Sequence, residues 1–116
     1  FQNCQVVVPL DANRRRYPEP FPVLIWIHGG SYQHLGKALY NTSGILSGIS
    51  SRKVIFVSVA YRLGIFGFLS LLDRDLPGNL ALHDLTAAIR FIKKNAAALG
   101  ADPARISIGG ESAGAA

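Results

Sequence analysis

The sequence contains few of the residues that metal-binding and disulfide-stabilised proteins depend on. Its 116 residues include one cysteine, no methionine, three histidines and seven acidic residues. A lone Cys4 excludes an internal disulfide and a cysteine metal site. The histidines show no H-E-x-x-H or comparable ligand spacing, which argues against zinc. We therefore expect neither a metal ion nor another cofactor.

The sequence also lacks the features of a membrane-spanning or nucleic-acid-binding protein. Its apolar runs are far too short to cross a bilayer, and residues 1–4 lack the basic head and apolar run of a signal peptide. Because the chain does not begin with Met, its start says nothing about export. The net charge is +5, but the one dense basic cluster, Arg14–Arg16, lies in a proline-bearing loop rather than along a face with aromatic residues. We expect no membrane span and no nucleic-acid partner, and the oligomeric state stays open.

The residues that are abundant predict a globular α/β protein. With 49% hydrophobic and 16% charged residues, the chain has enough apolar side chains to bury a modest core. Val23–Ile27 and Val54–Val59 are continuous apolar runs, as in strands covered on both faces. Further strands are predicted over Gln5–Val8 and, after a turn at Asp102–Pro103, over Ile106–Gly109. Strands alternating with helices predict a mainly parallel sheet flanked by helices on both sides.

The clearest helix is predicted over Leu80–Leu99, where apolar residues recur at spacings of three and four. Pro77–Asn79 supplies a break and a capping residue before it, and Gly100 fits the position after its last turn. A short helix is predicted around Gly44–Ile49, whereas we expect Tyr61–Leu69 to be an ordered loop. The apolar stripe of the long helix consists of Leu82, Leu85, Ile89, Ile92, Ala96 and Leu99.

Ser112 is a candidate nucleophile because it lies in Gly110-Glu-Ser-Ala-Gly114, a G-x-S-x-G sequence directly after a predicted strand. Glycines at both ends permit a tight strand-to-helix turn that lifts the serine hydroxyl clear of the sheet. The same small residues would also suit a helix that merely packs against a strand.

A second glycine-rich turn, His28–Ser31, follows the strand Val23–Ile27. Because parallel strands end at the same edge of a sheet, both turns are expected to face one crevice. The N–H groups of Gly30, Ser31 and Ala113 would then form an oxyanion hole for a carbonyl group attacked by the serine. An ordinary turn at the sheet edge is the alternative for His28–Ser31.

Taken together, these segments resemble the N-terminal part of a type-B carboxylesterase, the cholinesterase-like branch of the α/β-hydrolases. The resemblance covers nearly the whole chain from Val23 onward and implies an incomplete α/β-hydrolase fold, with residues 1–116 as one partial domain truncated at both ends. The matching segments are Trp26–Gly30 with Ser31-Tyr32, Tyr61–Leu69, Pro77–Asn79 with Leu82–Asp84, and Asp102-Pro103 leading into Gly110–Gly114.

The resemblance implies roles for the residues of both glycine-rich turns. Ser112 would form the acyl-enzyme, the amides of Gly30, Ser31 and Ala113 would form the oxyanion hole, and Gly29 would shape its turn. Ser31 stands where most family members have a third glycine, so the hole requires Ser31 to adopt the backbone angles of that position.

Further roles are implied outside these turns. Glu111 would line the substrate gorge and tune the catalytic histidine, and Arg62 and Asp84 would form a buried salt bridge. Cys4 resembles a cysteine that pairs with an earlier one, which would precede Phe1. The sequon at Asn41, together with the habit of the family, favours glycosylation and a secreted protein.

The other two members of the catalytic triad are expected beyond residue 116, because the order in this fold is Ser, then Asp or Glu, then His. His28, His34 and His83 precede Ser112, and we expect each to be structural. The whole protein would hydrolyse small-molecule carboxylic esters, whereas residues 1–116 alone would be inactive. A catalytically inactive cholinesterase-like adhesion or binding module and a neutral lipase of the same fold are the alternatives.

Overall fold

The computed structural model describes residues 3–34, 36, 43–72, 74–75 and 77–116. Strands and helices alternate along the described chain, as predicted. The elements are β1 (Cys4–Val7), β2 (Phe21–Ile27), α1 (Ser43–Ser51), β3 (Ile55–Val59), α2 (Gly64–Phe68), α3 (Leu80–Lys94), α4 (Ala96–Leu99) and β4 (Ala101–Gly110), followed by a 3₁₀ turn at Ser112–Gly114. None of the described helices has the length and apolar character needed to cross a bilayer.

The four strands form one sheet in the order β1-β3-β2-β4. β2 is parallel to both β3 and β4, and β1 pairs antiparallel with β3. The predicted, mainly parallel sheet is confirmed. Because the chain first passes from β2 to β3 and then crosses back over β2 to β4, the strand order reverses beside β2. Open α/β sheets bind ligands at the carboxyl ends of the strands at such a reversal.

The core lies between the sheet and the last two helices. Val23 and Ile25 of β2 and Val57 of β3 are at most 2% exposed, and Ile92 of α3 belongs to the same buried cluster. Burying each such side chain stabilises the fold by about 1.5–3 kcal/mol. The strand ends from which the glycine-rich turns leave are therefore anchored in the best-packed part of the chain.

The predicted helix over residues 80–99 is wrong in one respect, because it is two helices separated at Asn95. The side chain of Asn95 donates a hydrogen bond of 2.8 Å to the carbonyl oxygen of Phe91. The same oxygen also accepts the N–H of Asn95 at 3.0 Å, but Asn95 has φ −101° and ψ 13°, outside the helical range, so the helix is interrupted there. Gly100 adopts φ 71° after α4, as predicted for a helix C-cap.

The first turn of α3 also differs from the prediction. Leu82 is 52% exposed although it belongs to the predicted apolar stripe, because it lines an open depression with Phe68 and Ala113 instead of packing into the core. Asn79 is the N-cap residue, but its side chain makes no capping hydrogen bond because its backbone is left-handed, with φ 56°.

Two predicted connections contain regular structure. Residues 61–69 include α2, a short helix in which Gly67 lies so close to the carbonyl oxygen of Arg62 that a Cβ would be 2.1 Å from it. Asp102–Pro103 lies within β4 as an irregularity, since the step from Phe21 to Val23 faces the step from Ala101 to Ile106. Asp102 stabilises it by accepting a hydrogen bond of 2.9 Å from the N–H of Ala104.

Candidate active site

β4 ends in a tight turn that exposes Ser112. The serine has φ 52°, in the left-handed region, where a residue with a Cβ costs about 1–3 kcal/mol. The turn is closed by two backbone hydrogen bonds, from Gly114 N–H to the carbonyl oxygen of Glu111 (2.8 Å) and from Ala115 N–H to that of Ser112 (2.9 Å). The side chain of Ser112 is therefore presented to solvent on a constrained backbone.

The two glycines of G-x-S-x-G are required by close backbone contacts. A Cβ on Gly110 would lie 2.0 Å from the carbonyl oxygen of Gly114, and a Cβ on Gly114 would lie 2.2 Å from the carbonyl oxygen of Ile27. Any side chain at either position would push the turn away from the end of β2. The glycines thus hold Ser112 against the strand that leads into the second turn.

The second turn has an unusual run of left-handed backbone. Gly30 has φ 116°, Ser31 has φ 52° and Tyr32 has φ 62°. Ser31 therefore adopts a left-handed backbone conformation, which glycine takes more readily than a residue with a Cβ. The carbonyl oxygen of Gly30 accepts the N–H groups of Gln33 (3.0 Å) and His34 (3.1 Å), which closes the turn. Within the described part of the chain, the N–H groups of Gly30 and Ser31 donate no hydrogen bond.

The two turns touch at Gly29. A Cβ placed on Gly29 would lie 2.8 Å from the carbonyl oxygen of Glu111 and 3.1 Å from the Cβ of Ser112. Only glycine permits this approach without displacing the turn that carries Ser112. The backbone donors of the second turn and the hydroxyl of Ser112 consequently belong to one site at the carboxyl ends of β2 and β4.

Two aromatic side chains, His28 and Tyr61, form hydrogen bonds with carbonyl groups of the second turn. His28 is 1% exposed, its Nδ1 lies 2.8 Å from the carbonyl oxygen of Gly29, and its ring stacks on Tyr61 at 4.6 Å. The hydroxyl of Tyr61 donates a hydrogen bond of 2.7 Å to the carbonyl oxygen of His28. A nitrogen that donates to a carbonyl must carry the proton, so this contact selects the Nδ1–H tautomer of His28.

These contacts orient the donors of the turn. The N–H and C=O groups of a trans peptide point in opposite directions, so fixing the carbonyl of Gly29 also fixes the N–H of Gly30. Sequence reasoning predicted His28 to be structural, but it did not connect His28 with Tyr61. No sequence signal does so, because their contact depends on the pairing of β2 with β3.

Arg62 and Asp84 form an ion pair next to Tyr61. Nε and Nη2 of Arg62 donate to Oδ2 (2.7 Å) and Oδ1 (2.5 Å) of Asp84, and the N–H of Arg62 donates to Oδ2 at 3.1 Å. The expected buried pair is buried on one side only, because Asp84 is 1% exposed and the Arg62 side chain 43%. Burial raises the pKa of Asp84, but the hydrogen bonds and positive charge of Arg62 outweigh it and hold that pKa below its usual value. The pair ties the segment after β3 to the start of α3.

The structure also places most of the other residues that the sequence singled out. His34 and His83 are exposed. Cys4 is a half-buried free thiol in β1. Asn41, the glycosylation candidate, lies outside the described residues. No group of three or more metal-ligating side chains occurs in the described ranges.

Comparison with known proteins identifies relatives along the whole chain. Residues 4–116 match the model of the Carboxylesterase family. Gut esterase 1 of Caenorhabditis briggsae is 44% identical over 95 residues, which are 82% of this chain and 17% of that protein. Venom carboxylesterase-6 of Apis mellifera is 39% identical over 111 residues (96% and 19%), and bile salt-activated lipase of Rattus norvegicus is 41% identical over 111 residues (89% and 18%). The chain thus spans less than a fifth of the length of these relatives.

Proposed function

Since the chain belongs to the carboxylesterase family, whose members have the α/β-hydrolase fold, we propose that the whole protein hydrolyses small-molecule carboxylic esters through an acyl-enzyme formed on Ser112. The observation that carries this proposal is the contact of Gly29 with Ser112. It sets an exposed hydroxyl beside backbone N–H groups that make no hydrogen bond within the described chain. Serine hydrolases use this combination of nucleophile and donors.

In the first half of the reaction, Oγ of Ser112 bonds to the carbonyl carbon of the ester and its proton passes to a general base. The carbonyl oxygen becomes an oxyanion, which the N–H groups of Gly30, Ser31 and Ala113 stabilise. The bond from carbon to the leaving oxygen then breaks, and the alcohol departs with the proton. Water hydrolyses the acyl-enzyme by the same steps. Each donor of such a hole contributes about 10²–10³ in kcat.

The general base and its carboxylate partner lie, in this proposal, in a part of the protein beyond residue 116. Among the described histidines, His28 is 1% exposed, directs its Nδ1 at the carbonyl oxygen of Gly29 and stacks on Tyr61, so we assign it to the support of the turn and not to proton transfer. His28 and Tyr61 act as positioning residues, because they orient the donors without touching the substrate. Glu111, exposed beside the nucleophile, lines the entrance and influences the absent histidine.

Localisation and substrate size are part of the same proposal. The names of the relatives refer to venom, to the gut and to activation by bile salts, and we extend this to a secreted protein. The similarity to bile salt-activated lipase also makes a lipase the second candidate function. Both functions use the same site and differ in the length of the acyl group that is released.

The test is hydrolysis by the whole protein of p-nitrophenyl esters of increasing acyl length. We expect turnover to fall to background in Ser112→Ala, because the acyl-enzyme cannot form. Ser107→Ala is the matched control, since Ser107 is also exposed and lies in β4, before the turn that carries Ser112. Preference for short esters supports the esterase and preference for long ones the lipase. Equal activity of wild type and Ser112→Ala would refute the proposal, and no hydrolysis by the folded wild type would favour an inactive binding module.

A further inference from the structure

The positive charge of the described residues is concentrated at the end of the sheet opposite Ser112. Among the described residues, eight Lys and Arg side chains lie there, but only three acidic ones, Asp11, Glu19 and Asp102. Eight positive and three negative side chains give this end a formal charge of +5, which equals the net charge of the whole chain. We call it the basic face, and its eight residues, all exposed, are Arg14, Arg15, Arg16, Arg52, Lys53, Lys93, Lys94 and Arg105.

The topology brings these residues to one end. β2, β3 and β4 are parallel, so their amino ends share an edge, and the segments that precede each strand carry most of the eight residues. Lys93 and Lys94 end α3, which runs back from the carboxyl edge to this one. Direct contacts join the segments: Nη2 of Arg105 donates to the carbonyl oxygen of Pro20 at 2.8 Å. Nζ of Lys53 lies 4.7 Å from the centre of the Tyr17 ring.

The nearby carboxylates leave most of this charge uncompensated. Asp11 directs its Oδ1 at the N–H groups of Asn13 (2.9 Å) and Arg15 (2.7 Å), so it stabilises the backbone of the loop. The N–H of Arg14 donates a hydrogen bond of 3.0 Å to the carbonyl oxygen of Asp11, which closes a turn in that loop. Within the described residues, Arg105 is the one member of the basic face that forms an ion pair, with Asp102.

We propose that the basic face binds a sulfated polysaccharide. Five of its eight members are arginines, whose planar guanidinium groups bind oxyanions through paired hydrogen bonds. Charge spread over several segments of an exposed surface suits a linear polyanion with regularly spaced sulfates better than one small anion. The face is an interaction surface additional to the ester-hydrolysing site and does not depend on it.

Two other polyanionic partners fit this face less well. Single-stranded nucleic acids are bound through exposed aromatic rings that stack on the bases, but Tyr17 is half-buried between Phe21 and Lys53. Membrane surfaces need apolar anchors beside the charges. The most exposed large apolar side chains of the described chain, Phe66 (75%) and Leu72 (93%), lie in and after α2, away from this face, and Leu10 (47%) is a single exposed apolar side chain beside the basic loop.

The location of the face determines what binding would do. Ser112 is at the carboxyl edge of the sheet and the basic face is at the amino edge. A bound polysaccharide would therefore hold the protein at an extracellular surface while the active site stays open. Ester hydrolysis is expected to be the same with and without the polysaccharide.

The test measures binding of the whole protein to immobilised heparin at several salt concentrations. We expect Arg14→Gln/Arg15→Gln to weaken binding by roughly tenfold at physiological salt and to reduce the slope of log Kd against log salt by about 2. Neither side chain makes a hydrogen bond within the described structure, so folding and ester hydrolysis should not change. Arg74→Gln/Arg90→Gln removes the same charge elsewhere and is the matched control.

The proposal is supported if the first double variant loses affinity and the control double variant does not. Equal loss in both variants would show that net charge alone is sensed and would overturn it. So would no binding of the wild type to heparin, or tighter binding to RNA or to vesicles with anionic lipids than to heparin. Retained ester hydrolysis in every variant separates a failure here from a failure of the proposed function.

Discussion

The hydroxyl of Tyr61 donates a hydrogen bond of 2.7 Å to the carbonyl oxygen of His28, 33 residues earlier in the chain. The segment that follows β3 thereby holds the turn that follows β2. The same segment is fixed on its other side by the ion pair of Arg62 with Asp84. The turn that faces Ser112 is thus supported by a chain of contacts that reaches α3.

Removing that hydroxyl should impair catalysis more than folding. In Tyr61→Phe the buried carbonyl of His28 loses its donor, which costs about 1–3 kcal/mol of stability. We expect kcat to fall by roughly 10- to 100-fold with little change in KM. Misplaced donors would weaken the stabilisation of the transition state much more than they weaken substrate binding. Steady-state kinetics of the whole protein measure both constants. Tyr17→Phe, at the other end of the sheet, should leave them unchanged. Loss of stability without loss of kcat would show that Tyr61 is merely structural.

The contact between the two turns predicts a severe effect for the smallest possible side chain. In Gly29→Ala the added methyl group would meet the carbonyl oxygen of Glu111 and the Cβ of Ser112. We expect ester hydrolysis to fall by roughly 100-fold or more, because the donors and nucleophile are pushed apart. Gly44→Ala is the control, since a Cβ there has no atom within 4 Å. Near-normal activity of Gly29→Ala in folded protein would contradict the described geometry.

The ion pair predicts a distinctive dependence of stability on pH. Asp84 has a pKa below that of an unfolded aspartate, so its pairing stabilises the protein above about pH 4 and this contribution is lost as the pH falls further. In Arg62→Gln the buried carboxylate loses its partner, which should raise its pKa and reverse the trend, so that acid relieves part of the destabilisation. The free energy of unfolding of both proteins is measured by chemical denaturation between pH 3 and pH 7. This range brackets the ordinary aspartate pKa of about 4.

Asp84→Asn provides the comparison for that experiment. It removes the titrating carboxylate, so its free energy of unfolding should show less acid dependence than the wild type. It should also be milder than Arg62→Gln, because it leaves no buried charge without a partner. Parallel pH profiles for all three proteins would show that the pair contributes nothing specific to stability.

The sequence was informative wherever one residue type has a single physical use. The apolar run Val54–Val59 predicts a strand covered on both faces, and all five residues of β3 are buried, whereas β2 alternates between buried and half-buried residues. Gly110 and Gly114 suit a turn in close backbone contact. The break at Asn95 was missed because apolar residues continue at helical spacing across it. The short helix α2 was missed because its glycines, Gly64 and Gly67, are typical of a loop. The support of His28 by Tyr61 was missed because it arises from the order of strands.

Covalent capture of the nucleophile is the most direct test of the central claim. The whole protein is treated with a fluorophosphonate, and the modified peptide is identified by mass spectrometry. Our account predicts one phosphonylated residue, Ser112, with parallel loss of ester hydrolysis and no labelling of Ser112→Ala. Absence of labelling in the folded wild-type protein, or labelling at a different serine, would contradict it.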